Sequence, residues 1–346
     1  MPGCVFALAG CSVFGRYYRS FFLCVRSKFQ IFVRETINFL EMKIERLCGA
    51  IMFMAFVAFV MVSCKKTEKP SVAVIEDGIR FCESTLPYGD GVLIANFGTD
   101  ELNPLNSEGK GYIVLWKEGE GVRTVVPADG NLSAPKGMFE RDNYLYVCDV
   151  NKVAVYNLNG DSCSFVRAIA FPEGNLFVND LAATDTVLYA SVTNTDKIFK
   201  IDISDVSNPG EAVEWLSLPG PNSLSVSGNE MFVASYPADG NTRDVHVIYR
   251  IPDVNAPVPE KVISASGQYD GIVLSEDKSS LYVSNWTPAG VSKINLATGE
   301  ITPVSVDVET PLVGPADMSL SGGKIYIPDL PNSRVVVIDA TGCGDK

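Results

Sequence analysis

The sequence predicts an all-β chain folded as a six-bladed β-propeller, its last blade closed by a strand from the N-terminal side. First, an apolar-aromatic-apolar triplet recurs: Leu145-Tyr146-Val147, Leu188-Tyr189-Ala190, Met231-Phe232-Val233, Leu281-Tyr282-Val283 and Ile325-Tyr326-Ile327, with a looser copy at Val92-Leu93-Ile94. From Tyr146 the aromatic returns after 43, 43, 50 and 44 residues, a period that fits one four-stranded blade. Second, short alternating runs such as Val153-Ala154-Val155-Tyr156, Ile198-Phe199-Lys200-Ile201, Val245-His246-Val247-Ile248 and Val335-Val336-Val337-Ile338 read as the third strand of each blade. Asn159-Gly160, Asp239-Gly240 and Thr298-Gly299 mark the hairpins, and nothing after Cys64 reads as an amphipathic helix. Third, the last blade ends at Ile338-Asp339 without a fourth strand, while Ser71–Ile75 reads as a strand with no blade of its own. Pairing the two closes the ring and removes an open edge.

In chain order, residues 1–41 show no clear period. They are either an over-extended start assignment, with Met42 as initiator, or a further membrane segment. Residues 42–63 read as a signal peptide: Lys43 and Arg46 precede the uncharged run Leu47–Val62, and Ser63 follows it. Sixteen residues are short for a spanning helix, which needs about 20. Met61-Val62-Ser63-Cys64 resembles a bacterial lipobox, which implies lipidation of Cys64 and a lipid-anchored place at the cell envelope, facing the periplasm or the surface. An uncleaved anchor is the alternative. Residues 64–70 form a tether, 71–340 the propeller and 341–346 a tail. In blade 1 the segment Gly98–Lys110 stretches the period to 53 residues and is expected to be a long loop.

Residues 1–63 carry seven basic and three acidic residues, whereas the rest carries 21 and 38, a net of −17. So acidic a body repels nucleic acid and anionic membrane surfaces, which leaves the lipid on Cys64 as the membrane contact. A charged fraction of 20% with 47% hydrophobic residues excludes disorder. Downstream of Cys64 stand Cys82, Cys148, Cys163 and Cys343, at spacings that match no zinc site; they are expected free or singly paired. With His246 as the single histidine, chemistry based on two His or on Cys/His is excluded. His246 falls within the strand run of blade 4, where packing or surface exposure is the expected role. No nucleophile elbow, P-loop or dinucleotide fingerprint appears in a supporting context.

A propeller sets the start of each innermost strand around a central channel. Those starts read Cys82-Glu83-Ser84-Thr85, Ala134-Pro135-Lys136-Gly137-Met138, Phe177-Val178-Asn179-Asp180-Leu181, Gly220-Pro221-Asn222-Ser223-Leu224, Tyr269-Asp270-Gly271-Ile272 and Gly314-Pro315-Ala316-Asp317-Met318. Most hold an acid or amide just before an apolar strand. Two carboxylates with amide oxygens make a hard oxygen site suited to calcium, magnesium or manganese. A metal there polarises a carbonyl or activates water. Equally, Asn, Asp and Gly serve to fill turns and cap strand starts.

Glu83-Ser84, Asn179-Asp180, Asn222-Ser223-Leu224 and Asp270-Gly271-Ile272 resemble the channel motifs of the family of senescence marker protein, gluconolactonase and luciferin-regenerating enzyme, which includes regucalcin. The resemblance extends over about residues 71–340, on motifs of two or three residues. It implies a six-bladed propeller closed by its N-terminal strand. It implies Glu83, Asn222 and Asp270 as ligands of one divalent cation, calcium first, with magnesium, manganese or zinc as alternatives. It also implies Asp270 as general base for lactone hydrolysis and Asn179 as a further contact to substrate. The spacings of 96, 43 and 48 residues along that series fit one or two blades each. Two positions depart from the pattern. Phe177 stands where the family's enzymes often hold an Arg that orients substrate, and Thr85 replaces a Pro. Lys136 is either a substitute cation or a solvated rim residue.

The ends of the second strands, Asn96, Asp149, Asn194, Tyr236, Asn285-Trp286 and Asp329, are expected on the same face. Of these, Tyr236, Asn285 and Trp286 are candidate substrate contacts, an aromatic there stacking on a sugar ring; ordinary loop packing is the alternative. Two functions follow. One is a metal-dependent lactonase or ester hydrolase acting on a small lactone or sugar-type ligand. The other is a non-catalytic propeller binding a glycan, peptide or envelope protein.

Overall fold

The computed structural model describes residues 33–36, 38, 39, 43, 72–160 and 162–340. Cys64, the tether to residue 70, the tail 341–346 and, but for Lys43, the signal segment 42–63 lie outside them. The chain divides into two units, Met1–Lys69 and Pro70–Lys346, and the second holds the propeller. Among the described residues no helix is long and apolar enough to cross a membrane.

Six antiparallel four-stranded sheets follow one another, five of them simple meanders whose strand order equals chain order. Their innermost strands are Cys82–Tyr88, Met138–Arg141, Val178–Ala183, Pro221–Ser227 and Tyr269–Leu274. The sixth has three strands of its own, Ser319–Ser321, Lys324–Asp329 and Arg334–Asp339. Its fourth is Ala73–Ile75, with Ala73 opposite Val337 and Ile75 opposite Val335. Closure by the N-terminal strand is therefore as expected; of the run Ser71–Ile75, Ser71 lies outside the described residues and the strand is Ala73–Ile75.

The repeated triplet is explained by how blades pack. Its flanking residues face the preceding blade and its central residue the following one, because side chains alternate along a strand. Leu145 and Val147 pack with Leu93, Ile113 and Leu115 of blade 1. Tyr146 between them packs with Leu181, Leu188 and Phe199 of blade 3. The same division holds around the ring, through Tyr189 with Met231 and Val233, Phe232 with Leu281 and Val283, and Tyr282 with Ile325 and Ile327. The seam closes where Tyr326 packs with Val92 and Ile94. Each blade is covered on both faces, so its second strand must be apolar at successive positions. Each fully buried Leu, Ile or Val there contributes roughly 1.5–3 kcal/mol.

Two expectations change. The third strand of blade 4 is Ile248–Ile251, in register with Met231 to Ala234, not Val245–Ile248. His246 is therefore in the turn before it, buried, its Nδ1 accepting from the Arg243 backbone N–H at 2.9 Å. The alternation at Val245–Val247 mimics a strand, but Val245 is exposed and its carbonyl accepts from the Tyr249 hydroxyl at 2.7 Å. Second, the Asn and Asp residues ending the second strands do not form a functional rim. Asn96, Asp149, Asn194, Asn285 and Asp329 each accept a hydrogen bond from one or two backbone N–H groups of the segment entering their own blade. These loops have no sheet partner for those donors, and a buried unpaired N–H costs about 1–3 kcal/mol. Cys82, Cys148 and Cys163 are unpaired; Cys343 lies outside the described residues.

Candidate active site in the channel

Every innermost strand starts with a one-residue slip in register. In blade 1, Cys82 pairs with Asn96 but Ser84 with Ala95, so Glu83 is extra. Asn179-Asp180, Asn222-Ser223 and Asp270-Gly271 are the corresponding unpaired steps of blades 3, 4 and 5. In blade 2 Cys148 faces both Lys136 and Gly137. In blade 6 the slip falls between the Pro315–Asp329 bridge and the Ser319–Tyr326 pair. Such β-bulges re-aim side chains, here giving two rings of six. The first position of each bulge supplies Glu83, Lys136, Asn179, Asn222, Asp270 and Ala316, all lining one cavity of ≈ 100 Å³. The second supplies Ser84, Gly137, Asp180, Ser223, Gly271 and Asp317.

The second ring ties the blades together. Ser84 Oγ donates to Asp317 Oδ2 at 2.6 Å, and Ser223 Oγ lies 2.7 Å from Asp317 Oδ1 and 3.0 Å from Asp180 Oδ2. A hydroxyl carries one proton, so both contacts are full hydrogen bonds at once only with a proton on one of the two carboxyls. Burial agrees: it raises Asp180 well above the usual carboxylate range, aided by the Asp317 charge, and Asp317 itself to about 6. Gly137 is required because a Cβ there would stand 2.2 Å from Asp180 Oδ1 and 2.8 Å from the Asn179 carbonyl oxygen. Gly137→Ala is expected to cost about 1–3 kcal/mol by overpacking. Gly290→Ala, where a Cβ meets nothing within 4 Å, is expected to cost little, and denaturant unfolding compares them.

The first ring is short of hydrogen bonds. Among the described residues, four buried side-chain atoms have no partner: Glu83 Oε2, Asn179 Oδ1, Asn222 Oδ1 and Asp270 Oδ1. All four are oxygens, each from a different bulge. The Asn179 amide is oriented by Thr193, whose hydroxyl proton goes to the Pro221 carbonyl at 2.9 Å. Thr193 Oγ1 must therefore accept from Asn179 Nδ2, at 3.1 Å, leaving Asn179 Oδ1 unpartnered. The Thr85 hydroxyl lies 2.8 Å from Ser319 Oγ and so links blades 1 and 6.

Unpaired buried oxygens are costly, and charge adds to the cost. Burial, then Asp270 and Asp317, push Glu83 well above the usual range, opposed by Lys136. Burial, then Asp317, pushes Asp270 up to about 8. Two carboxylate and two amide oxygens without donors fit a hard divalent cation such as calcium. No group of three or more His, Cys, Asp or Glu able to hold a metal occurs among the described residues, so the amides are needed to complete the set.

Lys136 is not a solvated rim residue. It is fully buried and donates to the Ala134 and Pro104 carbonyls at 2.9 and 3.1 Å. Its Nζ is 4.9 Å from the Phe177 ring centroid and 5.6 Å from that of Phe97. Phe177 thus presents a π-face to a cation where an Arg would set a second positive charge against Lys136. The loop carrying Pro104 is the long insert expected at Gly98–Lys110, held by Asn106, whose Nδ2 donates to the Ser133 carbonyl at 2.9 Å.

Tyr236 and Trp286 also line the cavity. Burial and the Asp270 charge push the Tyr236 hydroxyl up to about 12. Gly314 makes room for Trp286, since a Cβ there would meet the indole at 2.6 Å. Asn285 does not line it: its Oδ1 accepts from the Gln268 N–H at 2.8 Å and its Nδ2 donates to the Pro288 carbonyl at 2.7 Å. Sequence reasoning missed Phe97, Pro104, Ala316 and Leu330 as lining residues. A signal for Ala316 was present, because Pro135-Lys136, Pro221-Asn222 and Pro315-Ala316 share a Pro just before the first ring position.

No family model matches the chain, and no curated protein matches it. Among solved structures, the chain is similar to a gluconolactonase from Xanthomonas campestris described as important in glucose secondary metabolic pathways. The TM-score is 0.58 at 13% identity, over 79% of this chain and 90% of that one. It is also similar to a protein of unknown function from Bacteroides thetaiotaomicron, with a TM-score of 0.54 at 13% identity, over 78% and 76% of the two chains. At such identities the likeness is one of fold.

Proposed function

We propose that the protein is a divalent-metal-dependent lactonase, a carboxylic ester hydrolase. The observation that carries this is the set of four unpartnered buried oxygens, on Glu83, Asn179, Asn222 and Asp270, around one cavity. The gluconolactonase fold of the Xanthomonas neighbour agrees with it. Glu83, Asn222 and Asp270 would hold the cation, calcium by the hardness of the donors. When bound, the cation supplies Lewis-acid polarisation of the substrate carbonyl.

The chain's own residues do the rest. Water adds its oxygen to the lactone carbonyl carbon and loses one proton to the Asp270 carboxylate. The ring C–O bond breaks, and the departing alkoxide oxygen takes that proton, so the product is the hydroxy acid and Asp270 is restored. Asn179 Oδ1 orients the attacking water or the substrate, and Phe177 and Trp286 exclude bulk water from the mouth. The segment Met61–Cys64 supports attachment to the bacterial cell envelope through lipid on Cys64.

Calorimetry and a lactone panel test this. Calcium is expected to bind with a stoichiometry of one and to release a proton at pH 7, since Asp270, pushed up to about 8, holds one there without a cation. Buffers of different ionisation enthalpy read that release. Hydrolysis is expected to vanish in EDTA and return with calcium. Metal-loaded protein inert on every lactone would instead favour a non-catalytic propeller that binds a glycan, peptide or envelope partner.

A further inference from the structure

The walls of the cavity differ in kind from its floor. Above the polar first ring stand Phe97, Pro104, Phe177, Trp286 and Leu330, with Tyr236; the Tyr236 hydroxyl and the Trp286 indole N–H are the two polar groups of these side chains. Lys136 has spent two of its three donors on protein carbonyls. Recognition of a polyhydroxylated sugar needs several hydrogen-bonding side chains around the ring, because each hydroxyl buried without a partner costs about 1–3 kcal/mol. Two such groups are too few for the hydroxyls of a sugar ring.

The apolar character continues outward. Leu105 adjoins Pro104, Leu176 adjoins Phe177, and Val313 adjoins the Gly314 on which Trp286 rests. With Leu102 these are exposed by 37–52%. All four lie on segments that join a second to a third strand or lead into a first strand, and both kinds emerge at the end of the ring where the first strands begin. The cavity, at ≈ 100 Å³, has room for an ion and a few waters or for a reacting carbonyl group, but not for a whole substituted ring.

We propose that the ligand is an apolar lactone or ester: its carbonyl enters the polar floor, and its alkyl or aryl body lies along Phe177, Trp286 and Leu330 and out over Leu105 and Leu176. This rests on the lactonase reading for turnover but not for binding, and the two are measured separately. In calcium buffer, kcat/KM is compared for δ-valerolactone, δ-octalactone, δ-decalactone and D-glucono-1,5-lactone. Binding of the corresponding non-hydrolysable lactams, including the gluconolactam, is measured by calorimetry. Both series are expected to rise with alkyl length, by up to about fourfold for each methylene buried. The glucose-derived members are expected to fall below δ-octalactone and its lactam. Leu105→Ser with Leu176→Ser, two exposed changes compatible with the fold, is expected to flatten the series. A flat series in the unsubstituted protein, preference for the glucose-derived pair, or no lactam binding at all overturns the proposal. Length-dependent lactam binding without hydrolysis of any lactone removes the enzyme and leaves the ligand class.

Discussion

Asp270→Asn is expected to lower kcat/KM for lactone hydrolysis by about 10³-fold, within the range that a positioned acid–base group supplies. It keeps side-chain shape and one oxygen in the first ring but removes both the charge and the proton acceptor. Calcium affinity is expected to fall as well. Stability moves the other way, with a sign that follows from the raised carboxyl. In the folded protein Asp270 holds its proton up to about pH 8, whereas its ordinary value is 3.8. Between these limits the folded form binds the extra proton, so rising pH favours unfolding. The contribution of the protonated carboxyl is complete below about pH 4 and lost by about pH 8. Without calcium, the amide of the substituted protein carries no such dependence. The thermal midpoint of Asp270→Asn is therefore expected to gain on that of the unsubstituted protein from about pH 4 to about pH 8, then to run parallel. Equal pH profiles in EDTA would mean that Asp270 is not a strongly buried acid.

The largest loss of stability is expected from Asp329→Ala. Asp329 is wholly buried. One of its oxygens accepts from the Val313 and Gly314 N–H groups at 3.0 and 3.1 Å. The other accepts from Arg334 Nε and Nη2 at 3.0 and 2.8 Å and from Asn332 at 2.8 Å. Arg334 is itself buried. Truncation leaves a guanidinium without its counter-charge and two orphaned backbone donors, a change that costs about 3–5 kcal/mol. Asp329→Leu with Arg334→Met removes both charges and is expected to cost less than Asp329→Ala alone. Chemical denaturation of the three proteins distinguishes an unpaired charge from simple loss of packing. The same substitution frees the segment carrying Gly314, against which Trp286 rests, so KM is expected to rise more than kcat falls.

The architecture could be read from the triplets because a blade buried on both faces leaves no other pattern available to its second strand. Tyr146, Tyr189, Tyr282 and Tyr326 each fill the gap to the next blade, and nothing local competes. The channel was legible to a lesser depth. Glu83, Asn179, Asn222 and Asp270 stood out as polar residues ahead of apolar strands. What the sequence does not carry is which way a bulge turns. Asp317 and Asp180 look equivalent to Asp270 in type, yet they occupy second positions and bond within the protein, while Ala316, chemically silent, holds the first. The burial of Lys136 was not legible because a lysine is ordinarily solvated; two aromatic faces and two carbonyls, drawn from three separate segments, and the nearby Glu83 charge make it tolerable. Asn285 was misread for a related reason. It ends a second strand beside Trp286, but at that position an Asn or Asp accepts backbone N–H groups in five of six blades.

The pairing of Ala73–Ile75 with Val335–Val337 places the two ends of the propeller on neighbouring strands. The polypeptide is thereby close to a covalent circle with one bond missing, and where that bond is missing is arbitrary. Joining residue 340 back to residue 72 through a short linker and cutting at the exposed hairpin near Asn159-Gly160 would permute the chain without touching either ring. Blade 2, not blade 6, would then be the composite one. A site assembled from all six blades depends on the circle being complete and is indifferent to which residue is translated first.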